Sequence, residues 1–209
     1  MAKTKKLIKK KFFDVEIPII KKELEVYSGT LEELNGKYIK FDLSSILRGK
    51  ALELSLKITA DEKTASANPK KITLQEFYIR RLMRKRTDYA EDSFLAPCSD
   101  HRIRIKYLIT TKKPVSRAVL TSLKKSAKEF LGNYIKEKEF ESLVKDVINN
   151  QIQKDLNGKL RKLYPLNICE IKHLGIEDLK EHELYELERA KKTEVAEESK
   201  SKEKENVSS

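Results

Sequence analysis

The sequence predicts an α+β chain with a strand-rich first part and a helix-rich second part. Two observations carry that expectation. Up to Thr59, and again over 101-HRIRIKYLIT-110, apolar and polar residues alternate at period two; from Pro114 onward the apolar residues recur at helical spacing instead. A third observation bounds the organisation. The 209 residues suit one domain with tails, because domains usually run to about 100–200 residues. The expected division is a basic arm over 1–11, one α+β domain over 12–176, and a charged, largely disordered tail over 177–209.

The arm holds six lysines and no acid within its first 11 residues, a block that repels itself and cannot bury a core. In 13-FDVEIPII-20, Phe13, Val15 and Ile17 alternate with acids, and Pro18 ends the strand or confines it to an edge. Asn35-Gly36 signals a turn into a strand over 36–47. Leu52, Leu54, Leu56 and Ile58 share one face of a half-buried strand, with Glu53, Ser55 and Lys57 on the other. The run 60-ADEKTASANPK-70 reads as a polar loop.

Thr73 and Glu76 have the spacing of a capping box, so a helix is expected from there to about Arg86, with Leu74, Phe77, Tyr78 and Leu82 as its buried stripe. Residues 88–98 and 101–110 are expected to pair through a turn at Ser99-Asp100. A long helix from Pro114 carries Val119, Leu123, Ala127, Phe130, Leu131 and Tyr134 on its apolar side. A further helix spans about Phe140 to Leu156, and Gly158 marks a break or cap. The last strand is 164-YPLNICEIKHL-174. Beyond Ile176 the chain becomes Glu/Lys-rich with little to bury.

Charge narrows the function. Charged residues make up 37% of the chain, against roughly 25% in ordinary globular proteins. The net charge is +12, and because 179–209 holds seven basic and nine acidic residues, the rest carries +14. Such a body attracts polyanions. Leu7-Ile8 is too short for a secretory h-region, and no window approaches the roughly 20 apolar residues of a membrane span, so an intracellular, soluble protein is expected. Cys98 and Cys169 stand far apart and read as reduced thiols. No GxGxxG, GxxxxGK[ST], GxSxG or HExxH occurs, and His101, His173 and His182 share no ligand spacing. No catalytic residue, cofactor, metal or small-molecule substrate is therefore assigned.

The positive signal is segregation of charge. Three elements carry basic residues opposite an apolar face: the helix with five basic residues in the seven positions Arg80 to Arg86, the strand with Arg102, Arg104 and Lys106, and the helix from Pro114. Arginine suits phosphate because its planar fork donates two parallel hydrogen bonds. The candidate RNA contacts are Lys3, Lys5, Lys6, Lys9, Lys10 and Lys11 in the arm; Arg80, Arg81, Arg84, Lys85 and Arg86; Arg102, Arg104 and Lys106; and Lys112, Lys113 and Arg117. Exposed stacking aromatics are not evident, which favours RNA shape and 2′-OH contacts over a single-strand stacking platform. The competing readings are an RNA-processing or RNA-modifying enzyme, which needs a convergent site the dispersed histidines do not supply, and a membrane-surface protein held by Lys3–Lys11, which lacks a broad apolar face and a lipidation signal.

Three segments, TLQEFYIRRLMRKRTDYAED, HRIRIKYLITTKKPVSRA and LRKLYPLNICEIKHL, agree in order and spacing with an archaeal and eukaryotic small-subunit ribosomal protein family, written "S three-A e" or "eukaryotic S one", which the chain resembles from about Ile72 to Leu174. The resemblance implies a compact antiparallel β-barrel-like sheet with flanking helices. It implies a cytoplasmic structural protein of the small subunit's platform, bound to small-subunit rRNA near its 3′ end and the mRNA exit and flanked by neighbouring ribosomal proteins. The RNA-contacting role carries over to Arg80, Arg81, Arg84, Lys85, Arg86, Arg102 and Arg104.

Overall fold

A computed structural model describes residues 9–47, 49–61 and 64–177. Eight strands and four helices occupy them: β1 (Lys11–Ile17), β2 (Lys22–Ser28), β3 (Tyr38–Asp42), β4 (Leu52–Ala60), β5 (Ala65–Leu74), α1 (Glu76–Leu82), β6 (Tyr89–Pro97), β7 (Arg102–Thr111), α2 (Arg117–Lys136), α3 (Phe140–Ile148), α4 (Gln151–Leu160) and β8 (Leu166–Ile176). Lys3, Lys5, Lys6 and almost all of the expected tail lie outside the described residues; Lys9 and Lys10 are exposed, and Lys11 opens β1 rather than ending an arm.

All the strands join one sheet, in the order β2-β1-β5-β8-β7-β6, with β4 on the other edge of β5 and β3 beyond it. The expected antiparallel, barrel-like closure is not what forms. The two ends of the path, β2 and β6, do not pair, and β1 meets β5 in parallel at Val15–Ala65 and Glu16–Ser66. β5 is the junction. One of its edges holds β4 along its whole length, while the other is shared between β1 at Ala65–Ser66 and β8 at Lys71–Thr73.

β5 occupies much of the stretch read as a polar loop. Its burial alternates through Ala65, Ala67 and Pro69, then resumes one position out of phase at Ile72 and Leu74. The slip coincides with a bulge, where Ser55 pairs with Lys71 but Leu56 pairs with Pro69, leaving Lys70 as the extra residue. A bulge is one of the few places where a strand accommodates proline. β2 has no counterpart among the expected strands; its half-buried positions are Leu24, between Glu23 and Glu25, and Val26, between Glu25 and Tyr27. β4 follows the reading closely, since Leu52, Leu54, Leu56 and Ile58 are all buried.

The first helix departs from expectation in three ways. Thr73 is in β5, paired with Glu53 and His173, so it cannot open a capping box; Gln75 takes the N-cap position without a side-chain bond. The helix stops at Leu82, and Met83 is extended. The buried residues of α1 are Ile79 and Leu82, whereas Phe77 is 53% exposed. The expected helix over Phe140–Leu156 is two helices. Asn150 stands between them in the left-handed conformation (φ 60°, ψ 22°), one that asparagine tolerates better than most residues, and Gly158 lies within α4 rather than at its end.

α2 starts at Arg117 rather than Pro114; it buries the expected Leu123, Ala127 and Leu131, and Ile135 with them, at steps of four, while Val119, Phe130 and Tyr134 are half-buried. It packs on β6, and α4 packs on β8. The hydroxyl of Tyr107, on β7, donates to the Lys124 carbonyl at 3.0 Å and ties the strand to α2. Burial raises the pKa of that phenol, so it stays a neutral donor.

The revised α1 face makes a direct prediction. Leu82→Ala should destabilise by about 2–5 kcal/mol, as for a core leucine. Phe77→Ala should stay within about 0.5 kcal/mol of wild type, as for a surface site. Urea denaturation distinguishes them; equal losses would return Phe77 to the core.

Candidate nucleic-acid interface

Strand period sorts the charges of β7. Ile103, Ile105 and Tyr107 are buried, and Arg102, Arg104 and Lys106 alternate with them, half-exposed, on the other face. Register extends that face across the sheet. Arg104 lies opposite Gly175 and Lys106 opposite His173 on β8, and Gly175 and His173 lie opposite Lys71 and Thr73 on β5. Lys71, Arg104 and Lys106 thus surround His173. Burial first, then the repulsion of Lys71, Lys106 and Arg104, hold its imidazole below the usual histidine range, although Ile72 backbone hydrogen bonding opposes this. Gly175 makes the arrangement possible. A Cβ there would lie 3.1 Å from His173 Cε1 and 3.2 Å from Lys71 Cγ, so the ring and the lysine stem cross where a side chain would stand.

A cleft of about 400 Å³ opens beside this cluster, lined by Lys71, Thr73, Lys106 and His173 from the strands and by Glu76 and Ile79 from α1. Neighbouring acids are partly engaged with other bases: Glu53 with Lys40 at 3.1 Å, Glu91 with Lys172 at 2.5 Å and Glu76 with Arg80 at 3.4 Å. The last of these is an exposed i,i+4 pair worth little to stability.

The remaining predicted bases gather mostly at the other end of β7. Arg84, Lys85 and Arg86 are exposed beyond α1, where Arg86 takes a positive φ of 63° and the Thr87 hydroxyl donates to the Arg84 carbonyl at 2.6 Å. Asp88 then binds them to the next loop. Its carbonyl accepts from the Thr111 N–H at 2.9 Å, and its carboxylate accepts from the Val115 N–H at 2.8 Å. That holds Lys112, Lys113 and Arg117, all exposed, at the same end of the hairpin. The Lys112 N–H donates to the Pro165 carbonyl at 3.4 Å, which brings in exposed Arg161 and Lys162, bases the sequence reading did not assign. At roughly 3.3 Å per strand residue, Arg102 and Lys112 stand ~30 Å apart. Arg80 and Arg81 are exposed on α1, whose neighbouring residues line the cleft at the sheet-face cluster.

Aromatics are more available than the sequence suggested. Phe12 and Tyr27, on β1 and β2, are 67% and 58% exposed with ring centroids 5.0 Å apart, and Lys10 Nζ lies 5.8 Å from the Tyr27 ring. Tyr38 is exposed as well, with Lys70 Nζ 5.7 Å from its ring. Phe12 occupies the strand phase opposite Val15, so strand period was the signal that could have found it.

Other chemistry is sparse among the described residues. No three His, Cys, Asp or Glu side chains group as metal ligands, and no helix is long and apolar enough to cross a membrane. Cys98 and Cys169 are both free thiols. Burial pushes the Cys169 thiol up to about 12, with Glu170 adding to the rise, so it is a poor nucleophile at neutral pH.

Comparison with known proteins finds relatives among ribosomal proteins. The chain is 24% identical over 182 residues to "Small ribosomal subunit protein eS1" of Nanoarchaeum equitans, covering 83% of this chain and 92% of that protein. It is 26% identical over 127 residues to the protein of the same name from Halorubrum lacusprofundi, covering 60% of this chain and 59% of that one. The Ribosomal S3Ae family matches residues 2–178, which span the whole sheet and all four helices. This chain belongs to the Ribosomal S3Ae family.

Proposed function

We propose that this protein is a structural constituent of the small ribosomal subunit, working in the cytoplasm and binding small-subunit rRNA through its phosphate backbone. Membership of a ribosomal family supports a structural and non-enzymatic role, and the relatives' names supply the small subunit. The observation that carries RNA contact is the gathering of Lys71, Arg104 and Lys106 around one histidine. Like charges held together repel one another, and a phosphate chain laid across them relieves that repulsion. The second contact is the strand-end group of Arg84, Lys85, Arg86, Lys112, Lys113 and Arg117, separated from the first by a span that one RNA backbone can follow.

The finer reading takes residues 12–176 as the rRNA-binding domain and 1–11 and 177–209 as arm and tail. It sets the contact on the platform near the rRNA 3′ end and the mRNA exit, beside other ribosomal proteins. The resemblance of the segments between Ile72 and Leu174 to that family supports it.

The first test is co-sedimentation. The protein should travel with small subunits at low salt and be released only at high salt; a protein wholly free of them at low salt would overturn the reading. In binding assays with small-subunit rRNA, Lys112→Ala with Lys113→Ala should reduce the salt slope by about 1 per lysine without moving the melting temperature. An unchanged slope would remove these lysines from the interface.

His173 gives a pH test. Its folded pKa lies below its unfolded value of about 6.5. The unfolded chain therefore binds the extra proton first, so the stability contributed by neutral His173 is present above pH ~6.5 and is lost as pH falls through the folded pKa. His173→Asn should flatten that part of the stability profile. Bound RNA should raise the His173 pKa by offsetting the neighbouring cations, as read by an NMR titration of Cε1–H; an unchanged or lower value in the RNA complex would exclude this cluster from the contact.

A further inference from the structure

On the other flank of α1 lies a second cleft, of about 640 Å³, within the roughly 300–1,000 Å³ of ligand pockets. Tyr78 and Arg81 line it from the helix, Glu170 from β8, and Gln153, Lys154 and Asn157 from α4. Its floor is fixed by an internal ion pair. Lys50, 8% exposed, lies 2.6 Å from a Glu170 carboxylate oxygen and donates to Asn150 Oδ1 at 2.5 Å. The left-handed backbone of Asn150 sets that acceptor at the junction of α3 and α4.

Apart from Glu170 Oε2, which is engaged by the Lys50 ion pair without a hydrogen bond, two buried acceptors there have no donor. Gln153 is 5% exposed, and its Nε2 donates to the Val147 carbonyl at 3.2 Å. That bond fixes the amide orientation and leaves Oε1 buried without a partner. Asn157 Oδ1 is likewise buried and unpartnered. The two residues are four apart on one helix and so share a face, about 5–6 Å between Cβ atoms. Buried polar atoms normally find partners, and these two amides line the same cleft.

The lining specifies the guest's chemistry. It must donate hydrogen bonds to the two amide oxygens. It is not a cation: Glu170 is already paired with Lys50, which leaves Arg81 and Lys154 as uncompensated positive charge on the wall. A neutral donor edge attached to an anionic backbone meets both demands, and that is a nucleotide. Guanine presents ring N1–H and exocyclic N2–H₂ on one edge, while its phosphate is suited to Arg81 or Lys154. Tyr78 offers a half-buried ring against which a base can lie.

We propose that the cleft between α1 and α4 holds an unstacked guanine of the rRNA, read by Gln153 and Asn157. The proposal rests on the RNA-binding reading and adds a base-specific contact to an interface otherwise made of phosphates. Sequence-specific RNA recognition uses bases freed from the stack in this way.

The test is chemical footprinting of the full chain on small-subunit rRNA. Kethoxal, which modifies the N1/N2 edge of unpaired guanine, probes the base, and hydroxyl radicals probe the backbone. The wild-type protein should protect one guanine that reacts in the naked rRNA. Asn157→Ala should restore that guanine's reactivity while leaving the backbone footprint intact. Gln153→Met, of similar size, serves as a second variant should Asn157→Ala fail to fold. A backbone footprint with no guanine dependent on either residue would overturn the inference and leave the RNA-binding reading standing. A change confined to adenine or cytosine under dimethyl sulfate would also overturn it. Absence of any footprint would overturn both readings.

Discussion

A single extra residue in β5 sets the phase on which the candidate surface depends. Ala65, Ala67 and Pro69 face the core, and uninterrupted alternation would then turn Lys71 inward and Ile72 outward. The bulge at Lys70 resets the count, so that Ile72 and Leu74 are buried and Lys71 is exposed. Two further slips act along the β7–β8 ladder, between Lys106 and Tyr107 and between Thr110 and Thr111. The first ends the stretch in which Lys106 lies opposite His173. Without the bulge at Lys70, β5 could not bury Ile72 and Leu74 and also set Lys71 on the face of Arg104 and Lys106.

That gathering opposes folding electrostatically, and the hydrophobic contacts beneath it must outweigh the repulsion. Ile103, Ile105, Ile72 and Leu174 lie under the cluster, each at most 1% exposed. Fully burying such a side chain contributes about 1.5–3 kcal/mol, well above the median 0–1 kcal/mol of a surface charge pair. The core therefore holds these positive charges in place, a preorganisation that would lower the ordering cost of binding the proposed rRNA.

The sequence was legible where a regular period coincided with strong contrast between apolar and charged residues. β4, the β6–β7 hairpin and α2 meet that condition, and Arg102, Arg104 and Lys106 were found with them. The first half of β5 was not legible because its inward residues, Ala65, Ala67 and Pro69, are small or turn-forming and resemble a loop. The capping-box spacing at Thr73–Glu76 was real but outcompeted, since strand pairing to Glu53 and His173 had already engaged Thr73. Phe77 read as core because its spacing fitted the stripe, yet a helix of 7 residues with Ile79 and Leu82 already inward leaves it outside. Lys71 and the Lys50–Glu170 pair were invisible for a different reason: their partners lie about a hundred residues away and meet only through sheet order.

The central claim is that the cations on the β7 face and at the strand end are the surface that meets rRNA. Lysine acetylation followed by mass spectrometry, on the isolated protein and on assembled small subunits, tests it most directly. The account predicts that Lys71, Lys106, Lys112 and Lys113 react in the isolated protein and are protected in the subunit. Equal reactivity of these four lysines in both states would contradict it.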